Sequence, residues 1–137
     1  MHFLFGGSKM YFWEKRHEKR IRDFFNESKI EYLNTELATI YLLTADEQLW
    51  KKAQDGIENG KLDFKKIKLK GINIRGYAFC KVAMDIYNGN ASHMDVKDLA
   101  NKNVISNNVY RVIEQALQIC RFGIKINKKR TSITNNR

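Results

Sequence analysis

The sequence predicts an all-α protein, folded as a compact bundle of about five or six helices. Three observations support this fold class. The 137-residue chain has no proline and only eight glycines, fewer turn-forming residues than a protein built of many short strands needs. Hydrophobic residues make up 43% of the chain, enough to bury the core of one domain. In several segments the apolar residues recur at the spacing of one helix face.

The first predicted helix covers residues 12–26. At about 100° per residue, four apolar side chains share one face with His17: Trp13, Ile21, Phe24 and Phe25. We expect His17 to be packed on this face in a structural role. The outer face carries five cations: Lys15, Arg16, Lys19, Arg20 and Arg22. This segment is therefore either an ordinary amphipathic helix with a solvated outer face or a helix that binds an acidic polymer.

Two shorter helices are predicted next. Residues 35–43 form the second, with Asn34 as its N-cap. Thr44 and Glu47 have the spacing of a capping box, in which each side chain binds a backbone amide at the helix start. The third helix is therefore expected to begin at Thr44 and to end at Gly56.

Residues 57–71 lack a clear helical period. Residues 66–70 read Lys-Ile-Lys-Leu-Lys and alternate as a strand does, although the same residues could close a short helix. A lone pair of strands is only marginally stable. We therefore expect a small strand or turn element near residues 62–71.

The fourth helix is predicted over residues 74–88, ending at Gly89. Five of its side chains share the face that we expect to be buried: Tyr77, Cys80, Ala83, Met84 and Tyr87. A short helix follows at residues 95–101, with Asp95 as its cap.

The last helix has the clearest period. Ser106 is its predicted cap and Gly123 its predicted end. Six apolar residues recur between them at the spacing of one helix face: Val109, Val112, Ile113, Ala116, Leu117 and Cys120. The domain is therefore expected to span residues 10–123, after a flexible extension over 1–9 and before a mobile basic tail over 124–137.

The net charge of +10 is unevenly distributed. Residues 31–50 carry four anions and no cation, whereas residues 121–137 carry six cations and no anion. A positive balance favours polyanions or acidic partners. The candidate nucleic-acid-binding cations lie in the first helix, in a lysine-rich segment and in the tail: Lys15, Arg16, Lys19, Arg20, Arg22, Lys65, Lys66, Lys68, Lys70, Lys128, Lys129 and Arg130.

Residues 98–117 have the order of a helix-turn-helix, with a short helix, a turn and a longer helix. Leu99 and Ala100 would pack the first helix and Ile105 the turn. Four polar residues of types that can contact base edges would then face outward: Asn107, Asn108, Arg111 and Gln115. Asn103 and Val104 differ from the residues usual in this motif, and such helix pairs also occur in plain bundles.

Sixteen aromatic residues leave enough for a protein-binding face. Aromatic side chains often anchor protein interfaces. The candidates are Trp13, Tyr110 and Phe122. The alternative to a nucleic-acid-binding protein is thus a protein–protein interaction module without nucleic-acid binding, either a homo-oligomer or an inhibitor of a host protein.

The sequence offers little catalytic chemistry. The three histidines have no metal-ligand spacing, and there is no phosphate-binding loop or nucleophile motif. We expect no enzyme, no cofactor and no metal, and we expect His93 to lie exposed in a polar loop. Cys80 and Cys120 are interpreted as reduced thiols of a cytoplasmic protein, although sequence alone leaves a bridge open. No apolar run is long enough for a membrane span.

Four stretches carry a family resemblance: "MYFWEKRHEKRIRDF", "YLLTADEQLWKKA", "KGINIRGYAFCKVAMDIYNG" and "DLANKNVISNNVYRVIEQALQICRFG". Together they resemble a family of small uncharacterised bacterial and phage proteins that share a domain of unknown function, over about residues 10–123. The resemblance implies a cytoplasmic protein encoded by a bacterium, phage or prophage, and Met10 as the ancestral start. It brings no known activity or site.

Overall fold

The computed structural model describes residues 2–5, 8–28, 30–90 and 93–127. These residues form six α-helices: α1 (Lys15–Glu27), α2 (Asn34–Leu43), α3 (Glu47–Ala53), α4 (Ile74–Asn88), α5 (Val96–Ala100) and α6 (Asn107–Phe122). The predicted all-α bundle is confirmed. None of the helices in the described ranges combines the length and the apolar character that a membrane crossing requires.

Five short strands accompany the helices: β1 (His2–Phe5), β2 (Ser8–Lys9), β3 (Ile57–Glu58), β4 (Lys61–Leu62) and β5 (Lys125–Asn127). β3 and β4 form an antiparallel hairpin in which Ile57 is opposite Leu62. Single turns of 3₁₀ helix lie on either side of it, at Gln54–Gly56 and Phe64–Lys66. The small strand element is therefore present, but its strands precede most of the segment for which it was predicted.

β1 pairs antiparallel with both β2 and β5, so the strand order is β2-β1-β5. His2 is opposite Asn127, and Leu4 is opposite both Lys125 and Lys9. No strand was predicted from the sequence at the positions of β1, β2 or β5.

α2 is the central helix, and it packs against both α4 and α6. All its residues from Ala38 to Leu43 are buried. A helix that is surrounded by others has no solvent face to alternate with a buried one, and its apolar residues therefore form a continuous run. The core around α2 also takes in Phe79 of α4 and Ile113 of α6, both fully buried.

Two predicted helix starts are wrong. Leu33, not Asn34, is the N-cap of α2, and its backbone N–H donates to the Glu36 carboxylate at 2.8 Å. The N-cap of α3 is Asp46, whose carboxylate accepts from the Leu49 amide at 3.0 Å. Thr44 instead ends α2, where its hydroxyl donates to the Ile40 carbonyl at 2.7 Å.

The starts of the other helices were better predicted. Asp95 caps α5 by accepting from the Asp98 amide, and Ser106 caps α6 by accepting from the Val109 amide. Gly89 ends α4 with a φ of 73°, a left-handed conformation that glycine adopts without steric cost.

The face expected to be buried on α4 is partly wrong. Cys80 and Ala83 are buried, but Tyr77 and Tyr87 are exposed, and Phe79 takes the central position in the core. On α6 the predicted face is correct except for Leu117, which is 47% exposed. Both differences follow from packing against α2, which fixes the direction of each buried face more narrowly than the apolar period does.

Candidate functional site

α1 holds its basic side chains away from the core. His17 and Ile21 are fully buried on its inner face, and Glu14 caps the helix by accepting from the His17 amide at 2.9 Å. Lys15 is exposed and Arg22 half-exposed on the opposite side. Neither has a carboxylate at ion-pair distance within the part of the chain that the structure describes.

Two other cations of α1 are paired at the surface. Arg16 lies 3.6 Å from the Glu47 carboxylate, and Lys19 lies 2.7 Å from that of Asp23. In both pairs the side chains are more than half exposed. Exposed ion pairs of this kind contribute only about 0–1 kcal/mol, so both cations can exchange their carboxylate for another anion at little cost.

Arg20 does not lie on the exposed outer face of α1, where the sequence predicted it. Its side chain is only 13% exposed. Its Nε donates to the Thr44 carbonyl at 2.6 Å and its Nη2 to the Ala45 carbonyl at 3.4 Å, at the end of α2. The last carbonyls of a helix lack partners within the helix and attract a cation. Arg20 is therefore a structural residue that joins α1 to α2.

The lysine-rich segment after the hairpin forms a second group of cations. Lys65, Lys68 and Lys70 are exposed, and within the described ranges no carboxylate lies at ion-pair distance from them. Lys66 lies 3.9 Å from the Glu58 carboxylate, again as an exposed pair. The tail cations Lys128, Lys129 and Arg130 lie outside the described residues.

α3 lies between these two groups. The Arg16–Glu47 pair joins it to α1, and the Lys52 ammonium donates to the Lys70 carbonyl at 3.1 Å on its other side. Lys51, which the sequence analysis did not select, is exposed on this helix. We call these two groups together with Lys51 the basic face; it consists of Lys15, Arg16, Lys19, Arg22, Lys51, Lys65, Lys66, Lys68 and Lys70.

The helix-turn-helix order is present in α5, the turn at residues 101–106, and α6. Ile105 is buried in the turn, as expected, and Asn107 and Asn108 are exposed. Leu99 is half-buried, whereas Ala100 is exposed. α5 has only five residues, so it provides a short support for a recognition helix.

Two residues of the proposed base-reading set are engaged within the protein. Gln115 is buried, contrary to expectation, and its side-chain oxygen accepts from the Tyr11 amide at 2.9 Å. The Arg111 guanidinium lies 4.4 Å from the centre of the Tyr11 ring. Both residues thus hold the segment before α1 against α6.

A groove that sequence analysis missed lies beside this turn. It has a volume of about 640 Å³ and is bounded by Trp13, the start of α4 and residues 102–106. Ile74 and Val104, two of its lining residues, are 87% and 52% exposed. We call it the Trp13 groove. The sequence had indicated Trp13 as a candidate binding residue, but helical periodicity does not distinguish an exposed isoleucine such as Ile74 from a core residue.

Arg75 is held in a fixed position at this groove. Its Nε and Nη2 lie 2.8 and 2.7 Å from the Asp46 carboxylate, which is fully buried. Its guanidinium also lies 4.8 Å from the centre of the Trp13 ring. The Trp13 ring in turn packs edge-on against Phe79 of the core. These contacts fix both the cation and the ring.

The three candidate partner-binding aromatics lie in different places. Trp13 lies before α1, not within it, and its ring lines the groove. Tyr110 is 43% and Phe122 65% exposed on α6, and neither lines the groove. Of the three candidates, Trp13 alone lines the groove.

His17 has the structural role that the sequence predicted. Its Nδ1 accepts from the Trp13 amide at 3.0 Å, so its Nε2 carries the proton and donates to the Tyr41 carbonyl at 2.8 Å. Burial lowers its pKa from 6.5 to about 3. The neutral imidazole thus fixes the backbone from which Trp13 extends.

His93 is exposed, as expected, but it also contacts Asp85. Its Nδ1 lies 2.7 Å from the Asp85 carboxylate, which also accepts from the His93 and Met94 amides. Both cysteines are free thiols. Burial raises the pKa of Cys80 to about 11 and also raises that of Cys120, which disfavours thiolate chemistry. Among the described residues no three His, Cys, Asp or Glu side chains cluster as a metal ion would require.

Comparisons with protein-family models, with curated proteins and with solved structures find no match to this chain. The family resemblance noted in the sequence is therefore still a prediction. The surfaces described above are the basis for a functional proposal.

Proposed function

We propose that this protein is a non-enzymatic nucleic-acid-binding protein that contacts the phosphate backbone through the basic face. One observation carries the proposal: five cations, four of them exposed and Arg22 half-exposed, have no carboxylate at ion-pair distance in the described ranges: Lys15, Arg22, Lys65, Lys68 and Lys70. Phosphate neutralisation requires cations directed to one side and no special geometry. Acting on nucleic acid or on a nucleoprotein complex, this cytoplasmic protein of phage or prophage origin would serve as a regulator or interfering accessory protein.

Binding through this face would be largely independent of sequence. The cations lie on long, mobile side chains of three separate elements, which suits phosphates and not base edges. The α6 residues Asn107, Asn108 and Arg111 are the candidates for any base contact. Because the Arg111 guanidinium already lies over the Tyr11 ring, base reading would cost that contact. We therefore assign the affinity to the basic face.

The proposal is tested by fluorescence anisotropy with duplex and single-stranded oligonucleotides over a range of salt concentrations. If about six phosphates are contacted, affinity should fall roughly a thousandfold between 50 and 200 mM salt. Charge reversal at three positions of α1 (Lys15→Glu, Lys19→Glu and Arg22→Glu) should abolish most binding and flatten the salt dependence.

A matched control reverses three exposed or half-exposed cations outside the basic face: Lys81→Glu, Lys97→Glu and Arg121→Glu. The change in net charge is the same in both variants. The proposal predicts that the control variant keeps most of its affinity. Equal losses in the two variants would assign binding to net charge alone, and binding that is insensitive to salt would refute the proposal.

A further inference from the structure

We infer that the Trp13 groove binds an acidic amphipathic helix of a partner protein. The inference is independent of nucleic-acid binding, since the groove shares no residue with the basic face. The occupant's apolar side chains would lie between Ile74 and Val104, and its carboxylates would pair with Arg75 and Lys102.

The groove is apolar where a helix would insert. Its floor is formed by Trp13, Ala78, Ile105 and Val109, and its walls are Ile74 and Val104. An isoleucine that is 87% exposed contributes little to folding in this state. A volume of about 640 Å³ accommodates several apolar side chains, as grooves that bind amphipathic helices do.

The charges of the groove select an acidic occupant. Arg75 and Lys102 are its two charged lining residues, and none of the lining side chains that the structure describes is a carboxylate. Lys102 is exposed, and no ion pair of it occurs within the described ranges. Because Arg75 already pairs with Asp46, the unbalanced positive charge at this groove is that of Lys102, which is complementary to a carboxylate.

Arg75 is the specific element of this site. Asp46 binds its Nε and Nη2, and its guanidinium carbon lies over the Trp13 ring. Its Nη1 has no hydrogen-bond partner in the described part of the chain, and the side chain is 40% exposed. A guanidinium fixed in this way loses little entropy when it binds a carboxylate. The buried Asp46 thus orients the cation while leaving part of its donor set available.

Trp13 provides a direct measurement of occupancy. The chain has two tryptophans, so a Trp50→Phe background leaves Trp13 as the sole tryptophan. The probes are synthetic helices of about four turns. One has leucines on one face and glutamates on the other, a second has the same leucines with lysines, and a third has the glutamates with serines. The leucine–glutamate peptide should give a saturable change in Trp13 emission, and the other two should bind at least about tenfold more weakly.

Variants then locate the binding. Ile74→Asp and Val104→Asp should each weaken binding of the leucine–glutamate peptide at least about tenfold, and Lys102→Glu about threefold to tenfold. Leu117→Asp is the matched control, because it removes an apolar side chain of comparable exposure, 47%, outside the groove. It should leave the affinity unchanged.

Several outcomes would overturn the inference. They are no saturable binding of the leucine–glutamate peptide, equal binding of the serine peptide, or an equal loss in Leu117→Asp. Light scattering that shows a dimer which Ile74→Asp dissociates would assign the groove to a second copy of the chain instead. Competition by an oligonucleotide for the same Trp13 signal would assign it to nucleic acid.

Discussion

The basic face and the Trp13 groove both carry cations, but they hold them differently. On the basic face Lys15 and Lys68 extend from the surface without a partner in the described ranges, and paired residues such as Lys19 are more than half exposed. In the groove, Arg75 is fixed by a buried carboxylate and an aromatic ring. Exposed cations without a fixed partner attract any nearby anion, whereas the fixed Arg75 guanidinium binds a carboxylate in one orientation.

This difference separates what each region can recognise. A field attracts any polyanion and weakens as salt screens it. A fixed guanidinium beside exposed Ile74 and Val104 requires a ligand that presents a carboxylate and apolar groups together. Four sets of stability measurements test this difference.

The largest effect is expected at Asp46, which organises the groove. Its carboxylate caps α3, binds Asn73 at 3.1 Å and pairs with Arg75. Asp46→Ala should reduce the free energy of unfolding by about 2–4 kcal/mol, because it leaves several donors without an acceptor. Urea denaturation measures this loss. Asp23→Ala removes an exposed carboxylate and is the control, with an expected cost below about 1 kcal/mol. Similar losses in the two variants would contradict the fixed position of Arg75.

The second effect separates Arg20 from the other cations of α1. Arg20→Ala removes the donor to the Thr44 carbonyl and should cost about 1.5–3 kcal/mol of unfolding free energy. Lys19→Ala removes only an exposed pair and should cost less than about 1 kcal/mol. Thermal or urea unfolding of the two variants checks the difference. If Arg20 were an exposed cation equivalent to Lys19, the two variants would lose equal unfolding free energy.

The third effect is acid sensitivity through His17. Its pKa is about 3 in the folded protein and near 6.5 when unfolded, so below pH 6.5 only the unfolded state takes up a proton there. His17 should therefore lower stability as the pH falls, by about 1.4 kcal/mol at pH 5.5. Unfolding curves at pH 7.5 and 5.5 measure this.

The matched variant for the acid effect is His17→Gln. Its unfolding free energy should fall less than that of the wild type over the same pH interval, whatever its stability at pH 7.5. Because His17 holds the Trp13 amide, Trp13 emission should follow the same transition. An equal pH dependence in both proteins would show that His17 does not lose its proton-binding affinity on folding.

The smallest effect is expected where binding, and not folding, is proposed to require a residue. Ile74→Ser and Lys15→Glu should each change the free energy of unfolding by less than about 0.5 kcal/mol, since both side chains are exposed. Urea denaturation would detect a larger loss. A cost above about 1 kcal/mol at Ile74 would mean that the folded protein already uses this side chain.

The sequence predicted most of the helices because capping and periodicity are local. The fourth helix was predicted with its observed bounds, and Ser106 and Gly123 mark the limits of the last one. The prediction of the α3 start failed at Thr44, which was chosen as the cap because its spacing to Glu47 fits a capping box. Asp46 caps α3 instead, and its carboxylate also contacts Asn73, the N-cap of α4, and Arg75 of α4. A rule based on neighbouring residues does not include these long-range contacts.

Of the candidate sites, sequence identified the residue types but not their surroundings. It selected the cations of α1, but packing distinguishes Arg20 from its neighbours: besides the nearby Glu14 carboxylate, its guanidinium meets the Thr44 and Ala45 carbonyls, more than twenty residues away. The sequence predicted an exposed Gln115, but its side chain is buried and accepts a hydrogen bond from the Tyr11 amide. Long-range hydrogen bonds of this kind leave no periodic signal.

The helical class, the positions of most helices and the excess of positive charge could all be predicted from the sequence. They follow from composition and from interactions between residues close in the chain. Which cations are available, and where an apolar groove opens, depend on the folded structure, since Ile74 and Val104 are thirty residues apart in sequence. The physical reason is that exposure and orientation depend on contacts between distant segments, which the packing of α2, α4 and α6 brings together.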